Sequence, residues 1–132
     1  YNENDERLWI GTSNEGVFTF DGNRFVREPL TQTLTQAVWC VTGSRKAGLW
    51  FGTERGLYKL DGDRLVTVVP DGDVRAVLAH VLPDAVWCAT TDRGIWTCAL
   101  TADGRTRQAR LDTETGLPSN TGFCLLPGDD KL

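Results

Sequence analysis

Apolar strand patterns and polar turns alternate along this chain in an order that repeats. The clearest copies cover residues 8–25 (LWIGTSNEGVFTFDGNRF) and 49–65 (LWFGTERGLYKLDGDRL), and a weaker copy covers residues 86–105. Each copy reads as a strand, a polar turn closed by glycine, a second strand and an Asp-Gly turn, which predicts successive β-hairpins. Trp9, Trp50 and Trp87 mark the phase at intervals of 41 and 37 residues. This period is typical of four-stranded propeller blades.

A nearly continuous apolar run separates the copies, at residues 37–42, 74–80 and 122–126. Such runs predict strands that are buried on both faces. The predicted fold is therefore all-β, with β-propeller blades of four antiparallel strands (A to D). The blade equivalents are residues 7–28 plus 121–126, 37–69 and 74–111. A β-sandwich or simple barrel is the alternative, but the matched phase of Trp, Gly and Asp-Gly favours blades.

The repeated LWIGT motif, followed by a glycine-led strand and Asp-Gly, resembles the two-component regulator propeller repeat. That family supplies the extracytoplasmic sensor domains of bacterial hybrid histidine kinases. Residues 116–120 (GLPSN) are similar to the loop that precedes an inner strand in the family, although the third copy departs from the motif as VWCAT. The resemblance implies one partial propeller domain, a sensor role in signal transduction and a periplasmic location. Nothing in the chain resembles a kinase, a receiver or a membrane anchor.

Three blade equivalents are too few for a closed propeller, and two explanations stay open. Residues 121–126 would supply the inner strand that the blade at residues 7–28 lacks. A cyclic homo-oligomer, as a dimer rather than a trimer, would close the ring through this head-to-tail contact. Otherwise the chain is a fragment of a longer protein, and the missing propeller blades complete it.

Composition and charge narrow the classes of partner. Fourteen Lys and Arg against 18 Asp and Glu give a net charge of −4, without a basic run. This predicts no nucleic-acid binding, and no apolar stretch is long enough for a membrane span. The cysteines lack the C-x-x-C spacing of zinc sites and suit buried free thiols, with one disulfide left open. They are Cys40, Cys88, Cys98 and Cys124.

No catalytic group stands out in the sequence. The single histidine, His80, would need a nucleophile or a carboxylate such as Asp84 to act as a base, and a turn histidine explains it better. The serines lie in predicted turns without a nucleophile elbow. The Asp-Gly-Asp segments at 61–63 and 71–73 lack the spacing of a calcium loop. The chain is interpreted as a non-enzyme with no catalytic residues, no metal and no cofactor.

The predicted function is a ligand-binding, sensor-type module with its site at the channel mouth. In a four-stranded blade, the turns between strands B and C and the loops from strand D to the next strand A lie on one face, around the central channel. Trp39, on a predicted inner strand, is the tryptophan placed best to face this channel. A carbohydrate or another small ligand is the class that the resemblance implies. A protein-interaction or structural scaffold is the alternative, and a propeller lyase or hydrolase is less expected. The candidate ligand-binding residues are Asn14, Glu15, Trp39, Glu54, Arg55, Asp92, Arg93, Ser119 and Asn120.

Overall fold

The computed structural model describes residues 7–44, 48–82, 85–101, 103, 105–126 and 128. The strands are β1 (Leu8–Gly11), β2 (Val17–Phe20), β3 (Phe25–Arg27), β4 (Val38–Ser44), β5 (Gly48–Thr53), β6 (Gly56–Asp61), β7 (Arg64–Val69), β8 (Val74–Leu82), β9 (Ala85–Thr90), β10 (Ile95–Leu100) and β11 (Thr106–Leu111). Short 3-10 helices cover Pro29–Thr31 and Thr113–Thr115. No described helix is long or apolar enough to cross a membrane.

The strands form three antiparallel sheets, which follow one another along the chain. The first sheet has the order β1-β2-β3, the second β4-β5-β6-β7 and the third β8-β9-β10-β11. Neighbouring strands in each sheet are also neighbours in sequence, as expected for hairpins closed by tight turns. The second and third sheets each have a fourth strand, β4 or β8, that has no equivalent in the first sheet among the described residues.

The all-β class is confirmed, but the predicted β-propeller is wrong. The described residues form three separate sheets of three or four strands, with neither a closed barrel nor a propeller among them. Residues 121–126, predicted to be an inner strand, have no regular secondary structure. Local periodicity predicts hairpins because they pair residues close in sequence. Closure depends on pairing between distant segments, which a local pattern does not determine.

Two apolar clusters hold the sheets together, each between neighbouring sheets. The first contains Trp9, Val17, Leu34, Val38, Leu49, Phe51 and Leu60. The second contains Trp50, Leu57, Val68, Val69, Val74, Ala79, Val86, Cys88, Trp96 and Cys98. Side chains alternate across β5, so Phe51 belongs to one cluster and Trp50 to the other. The middle sheet is therefore buried on both faces.

Candidate functional site

One threonine hydroxyl closes the turn between the first two strands of each repeated hairpin. The Oγ1 of Thr53 donates to the carbonyl of Gly56 at 2.9 Å and accepts from the backbone N–H of Arg55 at 3.1 Å. The equivalent donor bonds run from Thr12 to Gly16 at 2.7 Å and from Thr90 to Gly94 at 2.8 Å. These bonds fix the turns that carry most of the predicted site residues.

The connecting loops lie beside these turns because turn glycines bond to them. The N–H of Gly56 donates to the carbonyl of Gly72 at 2.6 Å, and that of Gly94 donates to Asn120 at 2.8 Å. Gly56 has a φ of 113°, a conformation that favours glycine. The surface formed by the turns at residues 12–16, 54–55 and 91–94 and the loops at 28–37, 70–73 and 112–121 is called the loop face below.

The loop at residues 112–121 is shaped by Asp112, a buried carboxylate. Its Oδ1 accepts the N–H groups of Glu114 and Thr115 at 3.0 and 3.1 Å, which caps the short 3-10 helix. Burial alone would raise the pKa of Asp112, but the Thr115 N–H, the Arg110 guanidinium and the Glu114 N–H together lower it. The loop that carries Ser119 and Asn120 is therefore held in one shape at neutral pH.

Trp39 is the centre of a polar cluster at the edge of the loop face. Its indole N–H donates to Oδ1 of Asp73 at 2.7 Å. The guanidinium carbon of Arg75 lies 4.0 Å from the centroid of the Trp39 ring. Arg75 also donates twice to Oδ2 of Asp73, from Nε at 3.2 Å and from Nη2 at 3.0 Å. Trp39 remains 37% exposed, so these three residues, called the Trp39 site below, present a fixed and accessible aromatic ring.

A second ion pair lies beside the Trp39 site. The Nη2 of Arg93 is 2.9 Å from Oδ2 of Asp71, and its Nε is 4.0 Å from Oδ1 of Asp92. The side-chain hydrogen bond from Arg93 lowers the pKa of Asp71, with a further contribution from the Gly72 N–H. Asp71 is therefore ionised at neutral pH, and its charge is balanced by Arg93.

Thr91 joins the Trp39 site to the loop at residues 112–121. Its Oγ1 donates to Oδ2 of Asp73 at 3.4 Å, and its carbonyl accepts from the Thr121 hydroxyl at 2.6 Å. The N–H of Thr121 in turn donates to Oγ of Ser119 at 3.1 Å. The polar groups around Trp39 thus form one connected surface between the second and third sheets.

The predicted ligand-binding residues divide into two groups in the structure. Five of them belong to this connected surface: Trp39, Asp92, Arg93, Ser119 and Asn120. Glu54 lies next to this surface, because its N–H donates to the Ala37 carbonyl at 2.9 Å. Arg55 follows Glu54 in the same turn. Asn14 and Glu15 are exposed in the turn of the first sheet, on the far side of the middle sheet from Thr91.

Sequence reasoning missed the two residues that hold Trp39. The sequence predicts no role for Asp73, whose Asp-Gly-Asp segment lacks the spacing of a calcium loop. Arg75 lies in the apolar run 74–80, which predicts an inner strand. A single arginine in that run was the available signal, because a charged residue in a buried strand is expected to have a specific partner.

The described residues form no side-chain cluster of the kind that holds a metal ion. Among them, no three His, Cys, Asp or Glu side chains are grouped to hold a metal ion. The backbone of His80 belongs to β8, whereas its side chain and the whole of Asp84 lie outside the described part of the chain.

All four cysteines are free thiols. Sγ of Cys88 is 4.0 Å from Sγ of Cys98, so the disulfide left open by the sequence is not formed. Burial raises the pKa of Cys40 to about 11. The pKa of Cys88 is raised by its hydrogen bond to Cys98 and by burial. Cys124 is the exposed thiol of the four.

The comparisons with known proteins show the fold. No protein-family model matches the sequence, and a search of curated proteins gives no match. Among solved structures, the chain is similar to the extracellular domain of a B. thetaiotaomicron protein described as a hybrid two component system. The TM-score is 0.75 at 24% sequence identity. The similarity covers 99% of this chain but 17% of the length of that chain.

Proposed function

We propose that this chain is a non-catalytic, ligand-binding module of the sensor type, acting on the extracytoplasmic side of the cell. A solved structure that it resembles is an extracellular domain of a hybrid two component system, which supports a sensor role outside the cytoplasm. The resemblance of the LWIGT repeats and the GLPSN loop to sensor propeller repeats supports the same role. The Trp39 site is the proposed ligand surface.

The observation that carries this proposal is the way Trp39 is held. Asp73 fixes the indole N–H at 2.7 Å, and Arg75 covers the ring at 4.0 Å, yet the side chain stays 37% exposed. An exposed tryptophan without such contacts loses conformational freedom on binding, which weakens affinity. Here that freedom is already lost in the folded protein. A preorganised aromatic surface is what ligand recognition requires, and packing alone does not need it.

The surroundings favour an uncharged, hydroxyl-rich ligand such as a carbohydrate. An aromatic ring offers a flat apolar surface, and the nearby carboxylates, guanidinium groups and hydroxyls can bond to ligand hydroxyls. The Asp73–Arg75 and Asp71–Arg93 pairs are each neutral as a pair, and Asp92 beside Arg93 adds one negative charge. A strongly anionic ligand would therefore gain no net electrostatic attraction, whereas a neutral polyol can use both donors and acceptors.

A panel of neutral and acidic oligosaccharides, screened by thermal unfolding, tests the proposal. A ligand that binds only the folded state raises the free energy of unfolding by about 2.7 kcal/mol at a hundred times its Kd. We expect a neutral oligosaccharide to raise the Tm of the wild-type chain and to leave the Tm of Trp39→Ala unchanged. Arg75→Ala should weaken binding, because the Trp39 ring then loses one of the two groups that hold it in place.

Phe25→Ala is the matched control, since Phe25 is an exposed aromatic residue (65%) on β3, away from the loop face. It should keep the wild-type response to the sugar. An equal response in Trp39→Ala and the wild type would exclude the Trp39 site. No response to any sugar would reject the carbohydrate proposal and favour the interaction-scaffold alternative.

A further inference from the structure

A cavity of about 430 Å³ lies between the second and third sheets, at the end of the strands opposite the loop face. β6 and β10 begin beside the loop-face turns and end at this cavity, at Asp61 and Leu100. The cavity is therefore separate from the Trp39 site. It is lined by Lys59, Asp61, Arg64, Val66, Leu100, Thr101 and Asp103.

Lys59 presents a fixed ammonium group to the cavity. Its Nζ is 5.2 Å from the centroid of the Trp50 ring, which lies opposite it on β5. Its stem packs on Gly48, where a methyl group would be 2.5 Å from Cε. No carboxylate among the described residues forms an ion pair with Lys59. A half-buried cation is expected to have such a partner, so this ammonium is available to an anion.

Asp61 carries a carboxylate that its own turn does not use. In the equivalent turns, Oδ1 of Asp21 accepts two backbone N–H groups at 2.9 and 3.1 Å, and Oδ1 of Asp103 accepts one at 3.2 Å. Asp61 lies opposite Arg64 in the ladder. Within the part of the chain that the structure describes, neither of these two side chains has a hydrogen bond or an ion pair. Both are therefore free to contact a ligand.

The third sheet adds a carboxylate that is held in place. Oδ1 of Asp103 accepts from the Thr101 hydroxyl and from the Arg105 N–H, and its Oδ2 is 3.5 Å from Nε of Arg105. The hydrogen bond from Thr101 lowers the pKa of Asp103, as does that from the Arg105 N–H, so the group is ionised at neutral pH. A carboxylate has about four acceptor positions, which leaves Asp103 room for a ligand hydroxyl.

These groups together favour a small carboxylic acid that also carries hydroxyl groups. An ammonium and a guanidinium bind a carboxylate well, and the two carboxylates of the cavity accept hydrogen bonds from hydroxyls. Val66 and Leu100 offer apolar surface to the C–H groups of such a ligand. A neutral sugar would leave the ammonium without an anion, and a simple acid would leave the carboxylates without donors.

We propose that this cavity is a second ligand site, which binds a small hydroxylated carboxylic acid such as a sugar acid. Lys59 and Arg64 hold the carboxylate of the ligand, and Asp61 and Asp103 accept hydrogen bonds from its hydroxyl groups. The proposal is independent of the ligand surface at Trp39, because the two sites lie at opposite ends of the strands.

The first test is a titration followed by NMR of the indole N–H groups. D-Glucuronate should shift the Trp50 signal in a saturable way, because the Lys59 ammonium lies 5.2 Å from that ring. D-Glucose lacks the carboxylate, acetate lacks the hydroxyl groups, and inorganic phosphate lacks the carbon frame. We expect each of them to bind at least about tenfold more weakly, since each loses one kind of contact.

Three results of this titration would overturn the proposal. The first is the absence of a saturable shift of the Trp50 signal. The second is a shift of the Trp39 signal alone, which would locate binding at the other site. The third is an equal response to phosphate, which would mean an adventitious ion only.

Two substitutions test the cations, and a third is the matched control. Lys59→Met keeps the length of the side chain but removes its charge, and Arg64→Gln removes the guanidinium. Each should weaken D-glucuronate binding by at least about tenfold. Arg24→Gln should bind as the wild type does, because Arg24 has the same turn position in the first sheet, where Thr19 replaces Lys59 opposite the tryptophan. Unchanged affinity in either cavity variant, or an equal loss in the control, would contradict the site. Circular dichroism checks the fold of each variant.

Discussion

Gly122 packs against Ala89 of the third sheet. At the other two contacts of this kind the glycine belongs to the sheet and the larger residue to the segment that follows, so the order is reversed here. In those contacts a glycine of β1 or β5 lies against the valine that begins β4 or β8: Gly11 against Val38 and Gly52 against Val74. A methyl group on Gly11 would be 2.7 Å from Cγ1 of Val38, and one on Gly122 would be 3.0 Å from Cβ of Ala89. The backbones therefore approach closely at each of these three contacts, so only one residue of each pair can have a large side chain.

This exchange predicts compensation between two substitutions. Gly122→Val should lower the free energy of unfolding by about 1–3 kcal/mol, as overpacking does elsewhere. Adding Ala89→Gly should recover much of that loss, because the pair then matches Gly11 and Val38. A double-mutant cycle by urea denaturation measures the coupling, expected at about 0.5–3 kcal/mol. Strictly additive effects would mean that Gly122 and Ala89 are not in contact.

The threonine hydroxyl in each turn should contribute more to the free energy of unfolding than an ordinary surface hydroxyl does. Thr53 is fully buried, and its Oγ1 serves the Gly56 carbonyl and the Arg55 N–H. Thr53→Val leaves both groups without this partner, so we expect a loss of about 1–3 kcal/mol in unfolding free energy. Thr67→Val, at an exposed position on β7, is the matched control and should stay within about 0.5 kcal/mol. Equal effects at the two positions would contradict a role for the Thr53 hydroxyl.

Substitutions of Trp50 and Trp39 should change the free energy of unfolding by different amounts, because Trp50 is a core residue and Trp39 is a proposed ligand-binding residue. Trp50 is 5% exposed within the cluster between the second and third sheets. Trp50→Ala should cost about 3–5 kcal/mol of unfolding free energy, as for other buried aromatic residues. Trp39→Ala should cost clearly less, because its ring is partly in solvent. Chemical denaturation of both variants measures this, and a near-zero effect at Trp50 would contradict its place in the core.

The sequence predicted the local hairpins well because each is specified by residues close to one another. A Thr-Gly pair, an Asp-Gly turn and alternating apolar positions determine β5 to β7 without reference to the rest of the chain. Two features escaped prediction. Residues 122–126 have the pattern of an inner strand, but a strand forms only where an edge is available. Arg75 binds Asp73 and Trp39 through contacts between separate sheets, which spacing along the chain does not reveal.

The partly buried thiol of Cys40 predicts how the free energy of unfolding changes at high pH. Burial raises its pKa from 9.0 to about 11 in the folded protein, so folding favours the protonated thiol. That contribution is complete below about pH 9 and is lost as the pH rises towards 11, to a limit of about 2–3 kcal/mol. Tyrosine and lysine titrate in the same range, so the comparison is made between variants. Urea denaturation at several pH values should show a smaller loss in Cys40→Ala than in the wild type, whereas Cys124→Ala, at an exposed position, should follow the wild type. Identical pH profiles for all three would show that ionisation of Cys40 is not linked to folding.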